Sequence, residues 1–184
     1  MFAKVPRMGQ AKTRLAVGVG RVHAQRLYRA MTARVLREVT DSRWETVVAV
    51  TPDGANDPLW QGLPTVGQGG GGLSQRLVRA MDISGPVCVI GTDCPEVGAA
   101  DIADAFRALR QADLVLGPAD DGGFWLIAAK GPVRAELFSD VRWSTEHALA
   151  DVARNVEGRV AYLRTLTDVD DAETLRAVRR RARI

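Results

Sequence analysis

The stretch Val87-Cys88-Val89-Ile90-Gly91-Thr92-Asp93-Cys94-Pro95 decides the fold. A short apolar run of strand length, closed by glycine, reads as a buried strand. Near-continuous apolarity implies cover on both faces, as in mainly parallel sheets. The strand carries Asp93 to the sheet edge, and Pro95 stiffens the turn beyond it. A carboxylate at that place can hold a hard cation such as Mg²⁺ or Mn²⁺, shared with phosphate oxygens, or it can cap the following turn.

Working outward, Thr46 to Thr51, Leu114 to Gly117, Phe124 to Ala128 and Val160 to Leu166 have the same character. Phe2 and Ala3 read as the end of a sixth strand. Between them lie helical patterns. Leu27, Met31, Val35 and Val39 recur four apart, with Arg26, Arg29, Arg34 and Arg37 around the polar side. Further helices are expected over Leu73 to Met81, Ala99 to Leu109, Glu146 to Val156 and Asp171 to Arg181. Strands alternating with helices predict a three-layer α/β/α sandwich with a mainly parallel sheet. The stretch from Phe124 to Arg159 breaks the alternation, which leaves room for an antiparallel strand. One domain over residues 1–184 is the expectation, because the chain holds one sizeable core but not two comfortable ones.

Composition narrows the function classes. Hydrophobic residues make up 46% and charged residues 26%, the balance of a globular protein. The longest apolar run has strand length, and the opening Met1-Phe2-Ala3-Lys4-Val5-Pro6 does not have the apolar stretch of a secretory signal, so a chain with neither membrane span nor leader is the expectation. Cys88 and Cys94 are too few for a disulfide framework, which points to a reducing cytoplasm. Net charge is only +3, and much of the excess sits in the tail Arg179-Arg180-Arg181-Ala182-Arg183. Such cations suit a helix C-terminus, and a basic stripe with interleaved aromatics, as nucleic acid would require, is missing.

In open α/β sheets ligands bind beyond the carboxyl ends of the parallel strands, and the unusual residues of this chain gather at strand exits. The opening run Phe2-Ala3-Lys4-Val5-Pro6-Arg7-Met8-Gly9-Gln10-Ala11-Lys12-Thr13-Arg14-Leu15 puts Lys4, Arg7, Lys12 and Arg14 on one loop containing Gly9. It reads either as a phosphate cradle or as a solvated basic loop; it is not a Walker A motif. Gln68-Gly69-Gly70-Gly71-Gly72-Leu73-Ser74-Gln75-Arg76 leads into a helix. Its glycines, Gly71 and Gly72 among them, allow a ligand close to the backbone, with Arg76 on the first turn; a flexible surface loop is the plainer reading. Asp120-Asp121-Gly122-Gly123 sets two acids between apolar strands, as a site or as a tight turn. In Asp168-Val169-Asp170-Asp171-Ala172-Glu173, Asp170 with Glu173 fits a capping box. Trp143-Ser144-Thr145 is expected to open a helix with a hydroxyl cap, or to face an acceptor. His23 and His147 read as surface or capping residues, and Cys94 as a small, semi-buried one.

Together and in this order the motifs are more specific. The run Phe2-Ala3-Lys4-x-Pro6-x-x-Gly9-x-x-Lys12-Thr13-Arg14-Leu15 resembles the opening of a bacterial family of glycosyltransferase-A-type proteins, the selenodomain-associated transferases. The glycine-rich segment Gln68 to Arg76, Gly91-Thr92-Asp93-Cys94-Pro95, Gly117 to Gly123, Trp143-Ser144-Thr145 and Asp168-Val169-Asp170 match it along nearly the whole chain. Two departures stand out: only Met1 precedes Phe2, so a trimmed start or a very short first strand is expected, and Ala172 replaces a helix-starting proline.

The resemblance implies a nucleotide-diphospho-sugar transferase fold, with Asp93 leading the metal ligands. Asp168 or Asp170 would share that metal. Lys12 and Arg14 would contact phosphate, the segment Gly69 to Arg76 would lie near the nucleotide, and Asp121 would serve the metal or the second substrate. The expected activity is that of a transferase using Mg²⁺ or Mn²⁺, a nucleotide or nucleotide-sugar and a small-molecule acceptor. Glycosyl transfer leads, nucleotidyl transfer with release of pyrophosphate is the alternative, and a nucleotide-binding module without catalysis is the third reading. Base, acceptor and oligomeric state stay open at this level.

Overall fold

The computed structural model describes residues 1–7 and 11–182. Its order is β1 (Phe2–Lys4), α1 (Thr13–Val19), α2 (Arg21–Val39), β2 (Val48–Thr51), β3 (Thr65–Gly67), α3 (Leu73–Ala80), β4 (Val87–Ile90), α4 (Ala99–Ala108), β5 (Leu114–Pro118), β6 (Phe124–Ala129), α5 (Ala148–Arg154), β7 (Val160–Tyr162) and α6 (Ala172–Ala182). Short 3₁₀ turns occupy Pro58–Trp60 and Ala135–Phe138.

Strands β1, β2 and β3 form a wholly parallel sheet in that order. The second sheet runs β4-β6-β5-β7, with β6 antiparallel to both neighbours and β7 parallel to β5. The break in alternation after Phe124 is therefore the antiparallel strand. A strand that returns beside its predecessor needs only a tight turn, here Ala119 to Gly123, instead of a helical crossover.

Period-two alternation sorts the second sheet between two layers. Ile90, Val115, Leu126 and Ala128 pack with Val35 and Val39 of α2 and Ile102, Ala105 and Leu109 of α4. Val87, Val89, Leu114, Leu116, Ile127 and Ala129 pack on the other face with Leu77 of α3, Val152 of α5 and Phe138. Both faces are covered, which is why these strands read as unbroken apolar runs. Phe2 of β1 also packs on this second cluster, so the two sheets share one interior.

Several boundaries differ from the sequence reading. Strand β7 ends at Tyr162, and Leu166 touches Ala119 only through an isolated parallel bridge. Strand β3 was not anticipated: its residues are exposed on an edge, so burial left no apolar signature there. Helix α1 lies where a loop was expected, because a single buried residue, Leu15, gives it too narrow a face to show as periodicity. Ser144 and Thr145 do not cap a helix. Ser144 takes a left-handed backbone conformation, and Thr145 Oγ1 donates to Arg142 O at 2.7 Å, while α5 starts at Ala148 with no side-chain cap. The cap of α6 is Asp171 instead of Asp170: its Oδ1 accepts from Glu173 N at 2.9 Å and Thr174 N at 2.8 Å. Both histidines are exposed. Among the described residues no helix is long and apolar enough to cross a membrane.

Candidate functional site

The exits of β1, β2 and β4 open on one side into a cleft of about 420 Å³, lined from Lys4, Thr51 and Gly91 to Asp93 and from Ala11 to Arg14. That position is where a parallel sheet offers converging loops, and the volume suits a ligand of nucleotide size.

Lys12 sits at its centre. The side chain is 5% exposed, and its ammonium lies 2.7 Å from Asp93 Oδ1 and 2.6 Å from Asp170 Oδ1. Burial opposes the charge, but the two carboxylates outweigh it, so Lys12 is held ionised beyond its ordinary range. Asp93 and Asp170 keep 47% and 45% of their side chains open to the cleft. The backbone that joins them is fixed: Val169 N donates to Asp93 O at 2.9 Å, and Leu166 N donates to Pro118 O at 3.0 Å. Capping of α6 by Asp171 leaves the Asp170 carboxylate unused by the helix and turned to Lys12.

Asp168 does not line the cleft but is charge-coupled to this pair. Burial, and then the charges of Asp121, Asp170 and Asp93, push its carboxyl up to about 7. Cys94 Sγ lies 3.9 Å from Asp168 Oδ1. Burial pushes that thiol upward, with Asp168 adding to the effect, so it remains a protonated thiol at neutral pH. Thr167 Oγ1 donates to Asp120 Oδ2 at 2.6 Å, which draws the Asp120–Gly123 turn against the same segment.

Among the described residues no three His, Cys, Asp or Glu side chains converge as a metal cage. Mg²⁺ does not require one, since it is commonly held by one or two carboxylates, with water and phosphate oxygens completing an octahedron. Asp93 and Asp170 already direct two oxygens at one cationic centre, so the donor set fits a hard divalent ion.

The other candidates divide. Lys4 and Arg14 line the cleft and are exposed. Gly9 lies outside the described residues. Gly71, Gly72, Arg76, Gly122, Gly123, Trp143, Ser144 and Thr145 do not line it. Arg76 turns back on its own loop, donating to Gly71 O at 3.0 Å, and borders a separate, more apolar hollow of about 620 Å³. Gln75 Oε1 accepts from Gly72 N at 3.0 Å, so the glycine segment closes on the start of α3. Trp143 donates from Nε1 to Ser74 Oγ at 2.8 Å and packs against Phe124 and Phe138. Gly122 (φ +85°) has no room for a side chain: a Cβ there would sit 2.2 Å from Glu146 O. Asp121 is exposed, and its Oδ1 accepts from Gly123 N at 2.8 Å.

Two cleft residues escaped the sequence reading. Tyr28 accepts from Lys4 N at 3.0 Å and donates to Lys4 O at 2.9 Å, while Thr92 Oγ1 lies 3.4 Å from its hydroxyl. It ties the exits of β1 and β4 to α2. A buried polar tip one position off the Leu27 stripe was the available signal, since a buried tyrosine hydroxyl needs partners. Gln68 is the second: its amide donates to Ala49 O at 2.8 Å and Ala3 O at 3.3 Å, stitching β1 to β2.

This architecture is the nucleotide-diphospho-sugar transferase fold. A crystal structure from Desulfovibrio desulfuricans G20, which carries that transferase name provisionally, superposes with a TM-score of 0.89 at 27% identity, over 98% of this chain and 84% of that one. Rv0371c from Mycobacterium tuberculosis H37Rv gives a TM-score of 0.49 at 16% identity, over 96% and 92%. Residues 32–145 match the family described as uncharacterized proteins conserved in bacteria (DUF2064), and the chain belongs to that family. No curated protein matches it in sequence.

Proposed function

We propose that this chain is a metal-dependent glycosyltransferase-like enzyme that binds a nucleotide-sugar in the cleft and passes the sugar to a small acceptor. The observation that carries this reading is the convergence of Asp93 and Asp170 on one cationic centre, beside the exposed cations Lys4 and Arg14. Acids alone would repel a diphosphate, and cations alone would bind any anion. The two side by side suit a metal-bound diphosphate.

Asp93 and Asp170 would hold the divalent ion, which when bound would supply positive charge against the developing charge of the leaving nucleoside diphosphate. Arg14 and Lys4 add fixed cations to the same oxygens, where charge grows as the glycosidic bond breaks. Asp121, exposed and held by Gly123 N, accepts the proton of the acceptor hydroxyl. Tyr28 positions Lys4 and Thr92 so that the cleft keeps its shape.

The experiment is turnover of a panel of nucleotide-sugars and nucleoside triphosphates with Mg²⁺ or Mn²⁺, followed by product analysis. Release of a nucleoside diphosphate from a nucleotide-sugar is the expected outcome. Pyrophosphate released from a triphosphate in the presence of a phosphorylated acceptor would move the assignment to nucleotidyl transfer. Binding of any of these ligands without turnover would make the chain a binding module.

A further inference from the structure

We propose that the Lys12 ammonium is an internal placeholder for the divalent ion: it occupies the Asp93–Asp170 centre in the metal-free protein and must leave when the ion enters. This rests on the reading of Asp93 and Asp170 as the metal's ligands.

The argument is geometric. A cation ligated by those two oxygens at about 2.0–2.1 Å would fill the space that the ammonium now holds at 2.6 and 2.7 Å. Two positive charges cannot share that centre at contact distance, because their repulsion would cancel what either gains from the carboxylates. Occupancy is therefore exclusive.

The chain equips Lys12 for both states. In the metal-free state its charge offsets the mutual repulsion of two acids distant in sequence. Five aspartates, at 93, 120, 121, 168 and 170, belong to the segments gathered here. One ammonium compensates two of them, and a divalent ion balances more of this charge. The residue also has the means to leave. Its ammonium sits on a flexible four-carbon stem, unlike the rigid fork of arginine. Its backbone is left-handed (φ 54°), an arrangement that costs a non-glycine residue free energy. Once released, the ammonium remains beside a cleft it already lines, within reach of the phosphate oxygens that arrive with the metal.

The prediction concerns metal affinity and not activity. Mn²⁺ is titrated into the full chain without nucleotide, and free Mn²⁺ is read by electron paramagnetic resonance, for wild type, K12M and K12R. K12M should bind Mn²⁺ at least tenfold more tightly than wild type, whereas K12R, which keeps a cation, should not. In wild type, Mn²⁺ alone should raise the rate of Lys12 acylation several-fold, read by peptide mass spectrometry, because the amine leaves its buried pair.

Equal Mn²⁺ affinity in wild type and K12M, with Lys12 acylation unchanged, would overturn the placeholder and leave the metal site standing. Absence of Mn²⁺ binding in every variant, with or without a nucleoside diphosphate, would overturn the metal reading itself. Should K12M fail to fold, the wild-type acylation measurement decides: protection that persists on adding Mn²⁺ under conditions where Mn²⁺ binds sinks the proposal.

Discussion

The Lys12 ammonium and the Asp170 carboxylate, 158 positions apart in the chain, meet at 2.6 Å inside the cleft. Lys12 starts α1, Asp170 directly precedes the cap of α6, and Asp93 closes the triangle from the exit of β4. The site is thus assembled from three distant segments, and each makes a separable contribution.

Asp93→Asn and Asp170→Asn should each weaken metal-dependent binding of a nucleoside diphosphate by at least tenfold, measured calorimetrically with and without Mg²⁺. Asp168→Asn should do so far less, since Asp168 does not line the cleft. A larger loss in the Asp168 variant than in the Asp170 variant would reassign the second ligand.

Asp168 makes stability depend on pH in a definite sense. Its folded pKa of about 7 lies above the ordinary carboxyl value near 3.9, so the folded state holds the proton more tightly than the unfolded one. The stabilisation is fully present below the unfolded value and is lost as pH rises through about 7. Urea midpoints of the metal-free protein should therefore fall more from pH 5 to pH 8 than those of Asp168→Asn. Parallel curves for the two proteins would contradict the assignment.

Arg14→Ala should lower affinity for a nucleoside diphosphate roughly ten- to hundredfold while leaving the free nucleoside unaffected, as expected from loss of one charge-assisted hydrogen bond of about 1.5–3 kcal/mol. Equal loss for both ligands would place Arg14 away from the phosphates.

Gly122→Ala tests the turn that presents Asp120 and Asp121. A left-handed backbone and a Cβ only 2.2 Å from Glu146 O predict a loss of about 2–4 kcal/mol in chemical denaturation. A near-neutral substitution would mean that this turn and the 145–148 segment are not locked together.

Legibility followed burial. Strands β4, β5 and β6 were readable because both faces are covered, so every position reports the core. The edge strand β3 and the short helix α1 bury too little to leave a pattern. At the site, Asp93, Lys12, Arg14 and Lys4 were visible as charged residues at strand exits. The division of labour between Asp170 and Asp171 was not, because either carboxylate has the local spacing of a cap. Tyr28 and Gln68 were hidden for another reason: their partners are main-chain atoms of remote strands.

By itself the sequence determined the layered α/β architecture and the strand ends at which charge collects, since both follow from local apolar periodicity and from the cost of burying an ion without a partner. Only the tertiary structure decided which charges meet. It turned Lys12 away from solvent to lie between Asp93 and Asp170, and it kept Arg76 and Trp143 out of the cleft. Pairing energy falls steeply with distance, and the distances among residues 12, 93 and 170 are set by how three loops converge at the sheet edge.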